Sequence, residues 1–341
     1  MSATLDFTPF ERITLLEGPT PIQRLDRFER DHADALCGVH LYVKRDDHML
    51  LGGGGNKLRK LEFLLGQARA AGADTVITVG GLQSNHARLT AAAAAYCGLK
   101  CELVLARMVP REDIDYERGG NVMLDALFGA RIHVPAGSDG PLAWAEQRAA
   151  ELRREGRIVA VIPSGGSTPI GSLGYAACAQ EIKTQAAERG VAFSQVVVPN
   201  GSSGTHAGLL AGFAALGVPA TMVRSYAVLA DVEPTANKTL ELASATAALL
   251  KAPVALTRED INLDGGHRGQ AYGVPTTEMV DAVRALARSE GLLLDPVYSG
   301  KAFAGLLADI RAQRFSPGEN VLFVMTGGTP GLYAYRTAFE A

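Results

Sequence analysis

The sequence predicts an α/β protein with two domains, each built on a parallel-rich twisted sheet flanked by helices. Short β-branched runs alternate with helical patterns along the chain, and this order is typical of a parallel sheet covered on both faces. The length of 341 residues suits two domains. The 38 glycines lie in short loops and not in low-complexity tracts, as expected where many strands turn into helices.

In the first half of the chain, strands and helices alternate. Residues 74–79 form a β-branched run whose length and flanks indicate a buried strand, and the alanine-rich segment 87–96 predicts a helix that stops at Gly98. The same criteria predict strands at 40–44, 101–105, 131–134 and 159–163, and helices from Lys57, over 120–128 and over 141–155.

The second half repeats this order. Residues 195–199 predict a strand that runs into a glycine-rich turn and then an apolar helix to about residue 215. Further strands are expected within 220–228, at 292–301 as a short strand running into a turn, and at 320–326. Further helices are expected at 170–187, 235–250, 274–290 and 302–314. No Pro- or Ser-rich linker separates the halves, so we expect the domains to pack closely.

The composition favours a cytoplasmic globular protein without nucleic-acid or membrane partners. The chain is 47% hydrophobic, and 33 Lys and Arg against 36 Asp and Glu give a net charge of −3. The first twenty residues lack the basic start and apolar core of a signal peptide, and no stretch of about 18 apolar residues could span a bilayer. The four cysteines form no CxxC pair, so they are interpreted as core thiols, and no metal site is expected.

A run of four glycines, residues 52–55, precedes Asn56 and Lys57. Such a run indicates a sharp turn or a close approach of the backbone, because glycine loses the most entropy on ordering. Asn56 is a favourable N-cap, which puts Lys57 in the first turn of a helix, where the helix dipole disfavours its charge. A neutral lysine amine is a nucleophile for an aldehyde. The alternative is that Lys57, Arg59 and Lys60 form a solvated face beside a flexible loop.

A second glycine-rich turn, residues 201–205, lies between an apolar strand and a helix. The helix N-terminus offers unpaired N–H groups, and the Ser and Thr hydroxyls add donors that could hold a phosphate. The segment lacks the Gly-Lys-Ser/Thr ending of a P-loop and the Gly-x-Gly-x-x-Gly dinucleotide fingerprint. It is therefore either a phosphate cradle of a different kind or an ordinary strand-to-helix turn.

The turn at 80–86, Gly-Gly-Leu-Gln-Ser-Asn-His, consists mostly of hydrogen-bonding residues. It could hold a carboxylate at the N-terminus of the following helix, with Asn85 facing a ring hydroxyl. The alternatives are simple N-capping by Ser84 or Asn85 and a structural role for His86.

A loop lysine, a phosphate cradle and an anion-binding turn together point to pyridoxal phosphate (PLP), whose aldehyde needs a lysine and whose phosphate needs a cradle. These elements stand in the sequence in order: Gly-Gly-Asn-Lys-Leu-Arg-Lys-Leu-Glu, Gln-Ser-Asn-His, Gly-Thr-His-Ala-Gly, Tyr-Gly-Val-Pro, Asp-Pro-Val-Tyr-Ser-Gly-Lys-Ala and Thr-Gly-Gly-Thr-Pro. With these motifs, the sequence resembles the D-cysteine desulfhydrase and 1-aminocyclopropane-1-carboxylate (ACC) deaminase family of tryptophan-synthase-β-like PLP enzymes. The resemblance extends from Pro19 to Tyr335.

The resemblance implies PLP fold type II, with a larger PLP-binding domain of residues 1–54 and 161–341, a smaller domain of residues 55–160, and a homodimer. Lys57 matches the lysine that forms the Schiff base. The catalytic residues implied are Lys57, Tyr272, Tyr298 and Ser84. The cofactor-binding residues implied are Lys57, Asn56, Asn85, Ser202, Ser203, Gly204, Thr205, Ser299 and Thr326. The residues implied to bind an amino-acid substrate are Gln83, Ser84, Asn85 and His86. Without the resemblance, both tyrosines could be core aromatics.

Two positions distinguish members of the family. ACC deaminases carry a glutamate after the second tyrosine, where this chain has Ser299, and a leucine before the final Gly-Gly, where it has Thr326. A hydroxyl near the pyridine nitrogen favours a weaker electron sink than a carboxylate does, which suffices to eliminate a good β-leaving group. The resemblance therefore implies α,β-elimination from D-cysteine, with the freed Lys57 amine taking the α-proton, to give pyruvate, ammonia and hydrogen sulfide.

Other interpretations remain open, because the four-glycine run and segment 200–203 differ from the patterns usual in the desulfhydrases. Within the family the alternatives are an L-cysteate sulfo-lyase and then an ACC deaminase. A PLP-binding scaffold without turnover is opposed by the intact Lys57 and both tyrosines. A nucleotide-binding α/β protein is opposed by the absence of an acidic ribose-binding motif.

Overall fold

The computed structural model describes residues 4–135 and 140–340, which form ten strands and thirteen α-helices. The strands are β1 (Ile22–Arg24), β2 (His40–Lys44), β3 (Thr75–Gly81), β4 (Lys100–Ala106), β5 (Arg131–His133), β6 (Val159–Ile162), β7 (Phe193–Asn200), β8 (Val223–Ala227), β9 (Asn262–Asp264) and β10 (Asn320–Val324). The helices are α1 (Asp26–Asp31), α2 (Ala33–Leu36), α3 (Lys57–Ala70), α4 (Asn85–Tyr96), α5 (Ile114–Arg118), α6 (Gly120–Leu127), α7 (Pro141–Arg154), α8 (Pro169–Arg189), α9 (Gly204–Ala215), α10 (Val232–Leu249), α11 (Thr277–Glu290), α12 (Ser299–Arg311) and α13 (Pro330–Ala334).

The strands form two sheets, which confirms the α/β class with parallel-rich sheets. The four-stranded sheet has the order β5-β4-β3-β6 and is parallel throughout. The six-stranded sheet has the order β1-β2-β10-β7-β8-β9 and is parallel except for the pairing of β1 with β2. Consecutive parallel strands need a crossover, which explains why the predicted helices lie between them.

Strand β7 shows how the larger sheet is buried on both faces. Val196 and Val198 pack into one apolar cluster with Leu209 of α9, while Val197 packs into another cluster with Phe303 of α12. All five side chains are completely inaccessible to solvent. Burying such a side chain contributes about 1.5–3 kcal/mol each, so the uninterrupted apolar run of β7 stabilises a central strand covered by helices on both faces.

The four-stranded sheet is formed within residues 75–162, and the six-stranded sheet from segments within 22–44 and 193–324. Helix α3 packs tightly on α8, since a Cβ atom on Gly174 would lie 2.1 Å from the carbonyl oxygen of Arg59. The division of the chain at residues 55 and 160 stays a prediction. No helix in the described part of the chain is both long and apolar enough to cross a membrane.

The strand expected at 292–301 is wrong. Residues 292–298 have no regular structure, and α12 begins at Ser299 instead of at 302. The carboxylate of Asp295 accepts hydrogen bonds from the backbone N–H groups of Val297, Tyr298 and Ser299, which folds this apolar run into a turn. The sequence also missed β1, β9, α1, α2, α5 and α13, which are too short to show a periodic pattern.

Candidate active site

A cavity with about 760 Å³ of space not filled by atoms opens where strands β3, β7 and β10 end and helices α3, α4 and α9 begin. The carboxyl edge of a parallel sheet is the usual ligand site in such folds, because helix N-termini converge there. The predicted site residues that line this cavity are Asn56, Lys57, Ser84, Asn85, His86, Ser202, Ser203, Thr205, Tyr272, Tyr298 and Thr326. The predicted site residues that do not line it are Gln83, Gly204 and Ser299.

Lys57 is the first residue of α3, as the sequence predicts, and its Nζ donates to the side-chain oxygen of Asn56 at 3.0 Å. The expected N-cap is wrong in detail, because the Asn56 side chain accepts no N–H of the helix and its backbone is already helical. The Asn56 backbone N–H instead donates to the carbonyl oxygen of Thr326 at 3.0 Å. Burial lowers the pKa of Lys57 to about 8, with Arg88 adding to the shift and Asp295 opposing it.

The glycine run before Lys57 is required by its backbone. Gly52, Gly53 and Gly54 have φ angles of 64°, 79° and 78°, in the region that side chains disfavour. A Cβ atom on Gly54 would lie 2.5 Å from the carbonyl oxygen of Asp47. The run therefore folds as a tight loop that fixes where α3 begins.

The solvated face proposed as an alternative for Arg59 and Lys60 is wrong, because both side chains are buried. Arg59 is paired with Asp46 and Glu181. Lys60 donates to the carbonyl oxygen of Gly165 at 3.1 Å and to Ser167 Oγ at 3.1 Å. Burial holds the pKa of Lys60 well below its usual range, and the charge of the neighbouring lysine adds to this effect.

Lys60 lies directly beside the predicted phosphate loop. A Cβ atom on Gly204 would lie 2.7 Å from Ser167 Oγ and 2.8 Å from Lys60 Nζ, so both side chains would have to shift if the first residue of α9 were larger than glycine. Ser203 immediately before it has a φ of 71°, which turns the chain into the helix. Lys60 was not predicted to belong to the site, although its spacing of three from Lys57 puts both side chains on one helix face.

In the turn before α4, Ser84 and Gln83 have structural contacts. Ser84 Oγ accepts the backbone N–H of Ala87 at 3.1 Å, so Ser84 is the N-cap while also lining the cavity. The Gln83 amide donates to the carbonyl oxygens of Tyr116 and Gly119 at 2.6 and 3.0 Å, which directs it away from the cavity. The N-capping alternative is therefore confirmed for Ser84.

His86 is held as a neutral ring. Thr78 Oγ1 donates to the carbonyl oxygen of Ile162, so its contact of 2.8 Å with His86 Nε2 requires that Nε2 carry the hydrogen. Burial lowers the pKa of His86 well below its usual value, with the charges of Lys57 and Lys60 adding to the shift. His86 Nδ1 is buried without a hydrogen-bond partner among the described residues, and thus remains an acceptor.

The two predicted tyrosines meet across the cavity. The Tyr272 and Tyr298 hydroxyl oxygens are 2.5 Å apart, and burial raises the pKa of both phenols. The loop that carries Tyr272 is held by Lys301, whose Nζ donates to the carbonyl oxygens of Arg268 and Ala271 at 2.5 and 3.2 Å. One tyrosine can therefore donate its proton while the other hydrogen-bonds to it.

Thr326 and Ser299 lie in different surroundings. Thr326 lines the cavity, whereas Ser299 is fully buried and its Oγ donates to Asp295 Oδ2 at 2.7 Å. Burial raises the pKa of Asp295, although four hydrogen bonds to its oxygens favour the carboxylate. Asp295 was not predicted as a site residue, because an aspartate before a proline is an ordinary turn residue.

The residues present fit PLP. A lysine amine with a lowered pKa faces the cavity, and the N-terminus of α9 has a glycine cradle with hydroxyl donors and the buried Lys60 next to it. An aldehyde would react with the first, and a phosphate would be held by the second. Within residues 4–135 and 140–340, no cluster of His, Cys, Asp and Glu side chains could hold a metal ion.

Comparison with known proteins supports the same cofactor. Residues 13–327 match the family described as "Pyridoxal-phosphate dependent enzyme". The chain is 41% identical over 336 residues to a 1-aminocyclopropane-1-carboxylate deaminase of Methylobacterium sp. (strain 4-46), covering 97% of this chain and 98% of the relative. It is also 41% identical over 331 residues to a D-cysteine desulfhydrase of Serratia proteamaculans (strain 568), covering 96% of each.

Solved structures agree with this result. The crystal structure of an ACC deaminase homologue is 40% identical, has a TM-score of 0.85 and covers 97% of this chain and 95% of that chain. O-ureido-L-serine synthase, at 20% identity and a TM-score of 0.63, shares the fold. The resemblance to the desulfhydrase and deaminase family is thus confirmed, and so is PLP fold type II. The chain belongs to the family of pyridoxal-phosphate-dependent enzymes, and its cofactor is PLP.

Proposed function

We propose that this protein is a PLP-dependent lyase that converts D-cysteine to pyruvate, ammonia and hydrogen sulfide by α,β-elimination. The observation that carries the proposal is that none of the described residues lining the cavity is acidic, while Thr326 contributes a hydroxyl. A cavity without a carboxylate favours a weak electron sink, which suffices when the β-substituent is a good leaving group. Relatives at 40–41% identity include both D-cysteine desulfhydrases and 1-aminocyclopropane-1-carboxylate deaminases, so the choice between these substrates rests on the cavity lining.

The binding roles follow from the contacts. The N-terminus of α9, with Ser202, Ser203 and Thr205, would hold the phosphate, and Lys60 would add a positive charge beside it. The N-terminus of α4 at Ser84–Asn85 would bind the substrate carboxylate. When bound, PLP supplies an electron sink that stabilises negative charge at Cα of an amino acid.

The proton transfers are assigned to this chain's own residues. Lys57 Nζ, which is partly neutral near pH 8, would accept the proton from Cα. Tyr298, hydrogen-bonded to Tyr272, would donate a proton to the departing sulfur. The Cα–H and Cβ–S bonds break and a Cα=Cβ bond forms. The released aminoacrylate takes up water to give pyruvate and ammonia.

Three further assignments are part of the proposal. We propose that residues 55–160 form the smaller domain and residues 1–54 and 161–341 the larger PLP-binding domain, that the protein is a homodimer, and that it is cytoplasmic. The dimer is testable by light scattering coupled to gel filtration, where a mass of about one chain, 35.9 kDa, would contradict it.

The function is tested by product release from the purified, PLP-loaded protein. Pyruvate is measured with D-cysteine, L-cysteine, L-cysteate, D-serine and β-chloro-D-alanine, and α-ketobutyrate is measured with ACC. We expect pyruvate from D-cysteine and β-chloro-D-alanine, and none of these products from the Lys57→Ala variant. Activity only on L-cysteate, or only on ACC, would show that this compound and not D-cysteine is the substrate. No product from any of the six, with the visible absorption of bound PLP intact, would overturn the proposed function.

A further inference from the structure

A buried side-chain network lies next to Asn85 and includes a residue that no motif marked. Asn121, in the first turn of α6, is completely buried. Its Nδ2 donates to Asn85 Oδ1 at 2.9 Å and to the carbonyl oxygen of Gln83 at 3.1 Å. Its Oδ1 accepts Arg88 Nε–H at 3.0 Å. Both Nδ2 and Oδ1 of Asn121 therefore have hydrogen-bond partners within the protein.

The direction of these bonds is determined by chemistry. Arg88 is a donor only, so the atom of Asn121 that faces it must be the oxygen. The Gln83 carbonyl is an acceptor only, so the atom of Asn121 that faces it must be the nitrogen. The NH₂ group of Asn121 therefore faces Asn85, and the Asn85 side-chain oxygen must accept its hydrogen bond. The amide orientation of Asn85 is thus set by Arg88 through Asn121.

Asn85 consequently keeps its NH₂ group free of this network. Asn85 lines the cavity. A Cβ atom on Gly328 would lie 2.5 Å from Asn85 Nδ2, so a larger residue at 328 would collide with the Asn85 NH₂ group. Gly328 has a φ of 97°, which also favours glycine. A donor placed here suits an oxygen that carries negative charge, such as the phenolic oxygen of PLP.

Arg88 is anchored independently of Asn121. Its Nη1 donates to the carbonyl oxygens of Gly52 and Gly54, the latter at 2.8 Å, in the loop that leads to Lys57. The guanidinium is buried, and Asp125 nearby is a buried carboxyl. Arg88 thus connects the loop before Lys57 to the amide network that ends at Asn85.

We propose that Asn121 is a positioning residue: it holds the Asn85 amide with its NH₂ toward the cavity, so that Asn85 donates to the phenolic oxygen of PLP. This inference rests on the site proposed above for Lys57 and Asn85, but not on the identity of the substrate. A hydrogen bond to the phenolic oxygen stabilises the negative charge of that oxygen. The proton that lies between this oxygen and the Lys57 nitrogen is then held less tightly. Losing the bond should raise the pKa of that nitrogen in the PLP-bound protein.

The test is a pH titration of the visible absorption of bound PLP in the holoenzyme. Asn121→Leu removes the NH₂ group without adding a charge, so the nearby Lys60, Arg88 and Asp295 keep their effects on Lys57. We expect the pKa of the band to rise by about one unit, the size of one hydrogen bond to a charged oxygen. Asn121→Asp keeps the shape and the Arg88 contact but repels Asn85 Oδ1, so its rise should be at least as large.

Two comparisons separate positioning from a general disturbance. Asn320→Asp at the start of β10, the end of the strand opposite to the one that meets the cavity, makes the same charge change and should leave the titration as in wild type. Asn85→Ala should raise the pKa like Asn121→Leu, and the double variant should shift no further than Asn85→Ala alone. Additive shifts, or an unshifted pKa in Asn121→Leu and Asn121→Asp, would overturn the inference.

The outcomes also distinguish this inference from the proposed function. A wild-type protein that shows the Lys57-dependent band but no lyase activity would contradict the proposed substrate and leave this test valid. A band that survives in Lys57→Ala would contradict the site itself. If Asn121→Leu fails to fold, as judged by its thermal melting, Asn121→Ala, which also adds no charge, takes its place in the cycle with Asn85→Ala.

Discussion

The replacement of Arg59 by methionine should destabilise the protein strongly, because it leaves a buried carboxylate without its partner. Asp46 is completely buried, and Arg59 donates to both of its oxygens, at 2.8 and 2.9 Å. Thr20 and Tyr175 donate to the same carboxylate at 2.8 and 2.7 Å. Removing one member of a buried ion pair costs about 3–5 kcal/mol. Because two hydroxyls remain, we expect a loss near 3 kcal/mol, a large part of a typical folding stability of about 5–15 kcal/mol.

The loss should depend on pH in a defined direction. In the wild type, burial acts to raise the pKa of Asp46, but Arg59 and the hydrogen bonds outweigh it and hold the pKa below 3.8. This stabilisation is present above pH 3.8 and is lost as the pH falls through the lowered pKa. Without Arg59, burial should raise the pKa. The loss of folding stability in Arg59→Met should therefore be largest at neutral pH and become smaller as Asp46 is protonated in acid.

The assay is urea unfolding followed by circular dichroism at pH 7 and pH 5, with the cofactor concentration held constant. The matched control is Arg107→Met, which breaks the exposed ion pair with Glu117 and should cost about 0–1 kcal/mol. Adding Asp46→Asn to Arg59→Met should restore at least about 1 kcal/mol, since the unpaired charge is gone. A single-variant loss as small as that of Arg107→Met would refute the reasoning.

Three further outcomes are expected at the site. Lys60→Met should weaken PLP binding at least about tenfold in an absorption titration, because the phosphate would lose a buried amine beside it whose lowered pKa a phosphate dianion would raise again. Unchanged affinity would show that Lys60 does not contribute to the phosphate site. Tyr298→Phe should lower kcat/KM for D-cysteine more than for β-chloro-D-alanine, whose chloride leaves without a proton, and equal losses would contradict its role as a proton donor. The rate at which the PLP-free protein captures PLP should rise with pH through about 8, since burial lowers the pKa of Lys57 and only the neutral amine attacks. A rise centred near 10.5 would show that burial does not lower this pKa.

Local patterns in the sequence were sufficient to predict features that depend on the backbone conformation of a few neighbouring residues. The glycines at 52–55 predicted a tight loop, and the structure shows the positive φ angles that require them. The β-branched runs gave the central strands, since a strand buried on both faces must be apolar throughout. The same criterion failed at 292–301, because an apolar run also occurs where Asp295 folds a buried turn.

The cofactor was predictable through the resemblance, and so were many of the residues that line the cavity, because the motifs are short and each lies in one turn. The roles of Lys60, Asn121 and Arg88 were not, since each depends on partners distant in the chain. Lys60 contacts residues 105 and 107 positions away, and Asn121 contacts residues 33 to 38 positions away. Charge and side-chain type alone do not distinguish a buried lysine from a solvated one.

The sequence by itself determined the α/β class, the order of the main strands and helices, and the turns whose residues line the cavity. Only the tertiary structure decided that these turns meet at one cavity, that Arg59 and Lys60 are buried, and that the amide of Asn85 has a single orientation. The physical reason is that backbone conformation follows from neighbours along the chain. Burial, pKa and hydrogen-bond direction instead depend on groups that the fold brings together from separate helices and strands.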